Sequence, residues 1–282
     1  MPQQSDVMDL VSDLKQRGEA FVLATVVRTV AVTAAKAGAK AVIMPDGTIT
    51  GGWIGGGCAR GAVLKAAQDV LADHQPRLIS VQPPVELAAL GVAAGESRHG
   101  VRFVRNMCPS QGTMDIFVEP MMPHPSIVIC GSSPVAVALS RLAAVMGFSA
   151  TACAPTVEQA AFEQVDTRIE GYALPVAGQE ERFIVVSTQG KGDEAALRAV
   201  LGVKAPYKAF VGSRRKMAAI REKLMAEGAS AAALDAIKAP AGADIGAISP
   251  EEIALSIFAE ITALRRQGRR AAAPLPLMEF KS

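Results

Sequence analysis

From residue 127 onward, apolar strand-like runs and helical stretches take turns, and this alternation limits the fold more than any other feature of the chain. Short apolar or β-branched runs stand at Ile127–Cys130, Ser149–Cys153, Phe183–Ser187 and Tyr207–Val211. Helical patterns fill Pro134–Met146, Asp193–Leu201, Arg214–Glu227 and Pro250–Arg266. Strands joined through helices pair most readily in parallel, so the spacing predicts a Rossmann-like, doubly wound parallel sheet. The final helix has a complete start signal: Ser249 as cap, Pro250 in the first turn and Glu252 as capping-box partner.

The first half has a different texture. Val7, Leu10, Val11 and Leu14 share one face of a short helix over residues 6–17. Ala20–Thr29 is a buried-strand run, and Ala39–Met44 and Thr48–Thr50 flank the turn Pro45-Asp46-Gly47 as a hairpin. A helix is expected over Gly61–Ala72, with further strands at Arg77–Val81, Val101–Arg105 and Met114–Glu119. Three prolines within residues 120–126 mark a linker. The expected organisation is a mixed α/β domain over 1–120, a Rossmann-like domain over 126–270 and a tail over 271–282.

Composition narrows the class. Half of the 282 residues are hydrophobic, enough for one or two full cores. Lys and Arg number 29 against 27 acids, and aromatics are only 4%, which argues against a nucleic-acid partner. The longest apolar stretch, Ser133–Ala150, is broken by Arg141, and Met1–Asp6 lacks the regions of a signal peptide. A soluble, cytoplasmic protein without a transmembrane segment is expected. Four scattered cysteines make no disulfide scaffold, and three histidines without ligand spacing make a zinc site unlikely on chemical grounds.

Chemistry concentrates at Gly51–Cys58, where five glycines in eight residues run into a helix. Glycines admit close approach of a ligand, and a helix start favours an anion. Cys58 at that start, with Arg60 nearby, has the setting that lowers a thiol pKa. Gly55, Gly56, Gly57 and Cys58 are therefore read as a ligand loop with a working thiol, against the alternative of a tight turn. Cys108 lies in the polar turn Asn106–Gly112, within reach of the Cys58 loop if the flanking strands are neighbours, the alternative being a loop cysteine without a role. Cys130 and Cys153 end apolar strands and read as core.

Two further loops carry polar residues. Ser213, Arg214, Arg215 and Lys216 open a helix, where cations oppose the dipole and a bound phosphate would relieve them; a solvated basic face is the alternative. Asp244 sits in a turn-rich stretch before the last helix, with a loop or ligand role. Asp193 and Glu194 serve as caps. The loop Gly131-Ser132-Ser133-Pro134 has the position of a dinucleotide loop but only one of three glycines, and no acid ends the next strand at Cys153-Ala154-Pro155. Ordinary NAD binding is not expected.

These blocks, taken in order, resemble the XdhC/CoxI family of accessory factors for xanthine dehydrogenase and related molybdenum hydroxylases. The resemblance runs from about Phe21 to Arg266. It is carried by Leu23–Thr29, by Gly55–Cys58, by the Cys108 segment ending Val118-Glu119-Pro120, by Gly212–Lys216, and by Asp244-Ile245-Gly246 with Ser249–Ile257. It implies an N-terminal cofactor-handling domain and a Rossmann-like partner domain. It also implies binding of molybdenum cofactor (molybdopterin), protection during sulfuration and delivery to an apoenzyme, by a homodimer. Implied partners are the molybdenum hydroxylase large subunit and a sulfur-donating cysteine desulfurase. Arg60 replaces the family's acid, and Cys-Pro-Ser-Gln-Gly replaces Cys-Gly-Gly at Cys108. With Gly131-Ser-Ser-Pro and Thr188–Asp193, these departures resemble the CoxF-like branch of carbon monoxide dehydrogenase-type systems, and they leave cofactor insertion, sulfuration and metal-centre completion open as the step served. A maturation chaperone is expected rather than an enzyme, the competing class being an NAD(P)-dependent oxidoreductase.

Overall fold

The computed structural model describes residues 6–174 and 181–271. Two compact units divide the chain, one ending at Pro123 and one running His124–Ala271. In the first, α1 (Val7–Gln16) precedes β1 (Phe21–Val30), β2 (Lys40–Ile43), β3 (Ile49–Gly52) and α2 (Gly57–Asp73). There follow β4 (Arg77–Gln82), α3 (Pro84–Ala89), β5 (Ser97–Arg98), β6 (Val101–Arg105) and β7 (Thr113–Met121).

The seven strands form one mixed sheet in the order β3-β2-β1-β7-β4-β6-β5. Only β4 and β6 pair in parallel; the other pairs are antiparallel. Alternation decides the faces. Val22, Ala24, Val26, Ile79, Val81, Ile116 and Val118 turn inward with Val63, Ala67 and Val70 of α2. Phe21, Leu23 and Val42 point the other way, and α1 covers them with Val11 and Leu14. Burying each Val, Leu, Ile or Phe side chain among them is worth about 1.5–3 kcal/mol.

The pairings run β1, β3, β4 and β6 in one direction. Their carboxyl ends, at Val30, Gly52, Gln82 and Arg105, therefore share one edge of the sheet. Helix α2 begins at Gly57, four residues before the Gly61 start expected from sequence. Gly57, which opens its first turn, has no side chain to show periodicity.

The second unit contains β8 (Ser126–Cys130), α4 (Pro134–Val145), β9 (Ser149–Ala154), a 3-10 turn (Thr156–Ala161), β10 (Thr167–Glu170) and β11 (Arg182–Val186). Then come α5 (Asp193–Leu201), β12 (Tyr207–Phe210), α6 (Arg214–Ala226), α7 (Ala231–Asp235) and α8 (Pro250–Ala271). The sheet order is β10-β9-β8-β11-β12, and every pair is parallel. Ile127 and Ile129 of β8 pack with α4 and α8, while Val128 and Cys130 pack with α5 and α6. Helices thus cover both faces of a doubly wound, Rossmann-like sheet.

Sequence signals missed β10, whose Thr-Arg-Ile-Glu run is mostly exposed at the sheet edge, and the short α3, β5 and α7. The capping box at α8 forms in both directions: the Glu252 amide donates to Ser249 Oγ at 3.2 Å and the Ser249 amide to Glu252 Oε2 at 2.9 Å. The helix runs on to Ala271, past the Arg266 end expected. The remainder of the expected tail lies outside the described residues.

After β8 the chain passes so close to β11 that only glycine fits. A Cβ on Gly131, which has a φ of +109°, would stand 2.4 Å from the Ser187 carbonyl oxygen. Gly131→Ala should therefore destabilise the protein by about 1–3 kcal/mol through backbone strain, lowering the urea midpoint. Gly61→Ala, a helical site with open space, should instead stabilise by roughly 0.5–1 kcal/mol.

Candidate functional site

Three loops meet at the shared edge of the first sheet. Residues after β1 supply Thr33 and Ala34, the β3–α2 connection supplies Gly55, Gly56, Gly57 and Cys58, and the β6–β7 loop supplies Asn106, Met107, Cys108 and Ser110. With Val81 and Met114 they line a cavity of about 400 Å³. That lies within the roughly 300–1,000 Å³ of small-molecule sites.

The glycine loop is open because its backbone is left-handed at Gly55 (φ +99°) and Gly57 (φ +51°). A Cβ on Gly55 would touch Ala34, Ala59 and Met114, whereas one on Gly57 would meet nothing. One wall of the cavity is thus main chain, and Cys58 follows as the second residue of α2.

Strands β6 and β7 flank β4, so the loop joining them crosses the carboxyl end of β4 and comes over Cys58. The Met107 amide donates to Cys58 Sγ at 3.3 Å. Asn106, buried, pins the loop from both sides. Its Oδ1 accepts the Cys108 amide at 2.9 Å and its Nδ2 donates to the Gly112 carbonyl at 2.6 Å. The Ser110 hydroxyl donates to Cys108 Sγ at 3.3 Å. The Ser110 hydroxyl and then its amide stabilise the thiolate and hold the Cys108 thiol below its ordinary value. Cys108 is exposed and Cys58 is half-buried.

Sequence reading missed Asn106 as the organiser of this loop. The available signal was an asparagine two residues before Cys108, the spacing of an Asx turn. Arg60 is exposed on the first turn of α2 and belongs to no ion pair among the described residues.

The other two cysteines are core. Cys130 and Cys153 face each other across β8 and β9, fully buried. Hydrogen bonding to Cys153, together with burial, pushes the Cys130 thiol well above its ordinary value.

In the second unit, Ser213, Arg214 and Asp244 line one cavity of about 550 Å³ with Lys238 and residues 240–247; Arg215 is not part of its wall. Ser213 Oγ accepts the Lys216 amide at 3.2 Å as the α6 cap. The loop is tied down by Tyr207, whose hydroxyl donates to Glu260 Oε2 at 2.7 Å and accepts the Gly242 amide at 3.3 Å. Burial and then Glu260 push that phenol well above its ordinary value.

The basic run is less open than its sequence implies. Lys216 Nζ meets Asp193 Oδ2 at 2.5 Å, leaving Arg214 and Arg215 exposed. Asp193 does not cap α5; it lies inside the first turn, accepting the Gly190 amide and the Thr188 hydroxyl. Burial raises its carboxyl, but Lys216, Thr188 and Gly190 outweigh burial and hold it below the ordinary value.

At the β8–α4 loop two of the amides that could meet a pyrophosphate are engaged within the chain. The Ser133 amide donates to the Ser187 carbonyl at 3.3 Å and the Ala136 amide to Ser133 Oγ at 3.2 Å. Glu158, beyond the end of β9, accepts from the Ser132 hydroxyl. An acid therefore does reach this loop, four residues past the position where sequence reading sought it.

Fold and site together define a protein that carries a two-thiol cavity on a mixed sheet, followed in the chain by a Rossmann-type unit. A family model described as the XdhC Rossmann domain matches residues 127–261, and one described as the XdhC and CoxI family matches residues 14–82. The chain belongs to the XdhC/CoxI family. It is 26% identical over 231 residues to uncharacterised protein YqeB of Escherichia coli K12, covering 79% of this chain and 40% of that protein. The chain thus spans less than half the length of that curated relative. A crystal structure described as a xanthine dehydrogenase from Bacillus halodurans is similar at 18% identity and a TM-score of 0.47, over 96% of this chain and 98% of that one.

The four thiols should separate by reactivity. Iodoacetamide should label Cys108 in the native protein, and Cys130 and Cys153 only after unfolding. The Cys108 rate should rise with pH below the ordinary thiol value of about 8.5, because the thiolate is the nucleophile. Ser110→Ala removes a donor to the thiolate, so it should move that profile to higher pH. An unchanged profile would show that Ser110 does not govern the thiol.

Proposed function

We propose that this chain is an accessory maturation factor that holds molybdenum cofactor in the Cys58–Cys108 cavity and passes it to a molybdenum hydroxylase. The observation that carries this reading is the pairing of two thiols with a glycine-walled cavity. The cargo combines a soft-ligand metal, a flat pterin and a phosphate. Thiolate sulfur suits the metal. Main-chain walls at Gly55–Gly57 let a flat ring approach, and the α2 start favours negative charge. Family membership and the cavity chemistry support the same reading.

Within it, Cys58 would meet the metal, and Asn106 holds Cys108 on the β6–β7 loop beside the cavity. Arg214 and Arg215 are candidates for an anion in the second unit, though Asp244, which shares a cavity with Arg214, opposes a purely anionic guest there. The client would be a xanthine or carbon monoxide dehydrogenase-type large subunit, with a cysteine desulfurase as sulfur source and a homodimer as the working form. The departures at Arg60 and around Cys108 favour the CoxF-like branch. The NAD(P)-dependent oxidoreductase reading ranks lower, because the amides of Ser133 and Ala136 are already bonded inside the chain.

Cys58→Ala should leave folding intact, since it trims one half-buried sulfur from a loop. It should lower retention of molybdenum cofactor at least about tenfold, equivalent to about 1.4 kcal/mol, and lower activation of the client apoenzyme with it. Cys153→Ala should reduce thermal stability and leave retention unchanged. Full retention by the Cys58 variant would remove the cavity from the function.

A further inference from the structure

The cavity holds two thiols in unlike settings, and holding a cargo needs only one of them. Cys108 is exposed, and the Ser110 hydroxyl points at its sulfur from 3.3 Å. Cys58 is half-buried, and its sulfur is fixed 3.3 Å from the amide of Met107, the residue next to Cys108. Both line the same cavity of about 400 Å³. One thiol is therefore open to a reactant arriving from solvent while the other waits beside it within the cavity.

We propose that this pair is a persulfide-processing site: Cys108 accepts sulfane sulfur from a donor persulfide, and attack by Cys58 frees that sulfur as sulfide at the cavity. In the first step the Cys108 thiolate attacks the outer sulfur of a persulfide R–S–SH. A sulfur–sulfur bond forms on Cys108, the donor's own bond breaks, and the donor leaves as the thiolate R–S⁻ with the electron pair. In the second step Cys58 attacks Sγ of the Cys108 persulfide. The Cys58–Cys108 disulfide forms, and the terminal sulfur departs as hydrosulfide carrying the bonding pair, with the Cys58 proton accompanying it.

The sulfane sulfur gains two electrons and the two cysteine sulfurs lose two, so the exchange balances without any metal. An external dithiol then reduces the disulfide and resets the site. The order of the steps follows from exposure. The more exposed sulfur takes the load, and the half-buried sulfur on the wall of the same cavity displaces it. Attack depends on the thiolate, which the Ser110 contacts favour at Cys108. The reading of the cavity as a cofactor holder gives the sulfide a destination, and to that extent the inference rests on it.

The test uses the full-length chain, reduced and freed of reductant, with glutathione persulfide under anaerobic conditions and no molybdenum cofactor. The wild type should release a single equivalent of sulfide and then stop until a dithiol is added. Peptide mapping should show the segments bearing Cys58 and Cys108 joined by a disulfide. Cys58→Ala should gain the mass of one sulfur atom at Cys108 and lose the sulfide burst; Cys108→Ala should show neither change.

A wild type without the cross-linked peptide, or a Cys58 variant that releases sulfide as fast as the wild type, would overturn the proposal. The readouts need no cofactor. Failure here would leave cofactor retention untouched, and failed cofactor loading would leave the sulfide burst measurable.

Discussion

The hydrogen bond from the Met107 amide to Cys58 Sγ links two loops separated by 49 positions in the chain. The cavity depends on it. It ties the glycine loop to the Asn106–Ser110 loop at the edge of the sheet. The sheet order makes the link possible: β4 lies between β6 and β7, so the connection must cross the carboxyl end of β4 on its way back. Asn106 fixes the crossing by bonding both the Cys108 amide and the Gly112 carbonyl. The thiols thus meet through topology first and through local hydrogen bonds second.

Much of the scaffold was legible in the residues because its signals are local. The Pro45-Asp46-Gly47 turn, the buried run of β1 and the two-way capping box of α8 appear where sequence chemistry places them. Strands covered on both faces, such as β8, read as unbroken apolar runs. Edge elements were harder to see. The exposed, polar β10 has neither alternation nor an apolar run, and the start of α2 is masked by Gly57.

The candidate site divides along the same line. Cys58 was visible through its glycines, and Cys108 through its place in a polar turn between strands. Their meeting was not, because it depends on strand order, which no local pattern encodes. The basic run Ser213–Lys216 shows the opposite error. Read as a sequence it is three uncompensated cations. In the fold Lys216 belongs to Asp193, a residue from the preceding helix that sequence reading had assigned to capping. The missing acid of the dinucleotide loop likewise arrives from outside the motif, as Glu158 bonded to Ser132. Charge patterns along a chain report composition; pairing is decided by neighbours in space.

The central claim is that the space between the Gly55–Cys58 and Asn106–Ser110 loops is where the cargo sits. A differential alkylation footprint tests it most directly, comparing the chain with and without bound molybdenum cofactor by peptide mass spectrometry. The account predicts slower labelling of both Cys58 and Cys108 in the loaded protein, with the buried Cys130 and Cys153 unlabelled in either state. Equal labelling of Cys58 and Cys108 in the two states, with cofactor demonstrably bound, would place the cargo elsewhere and contradict the account.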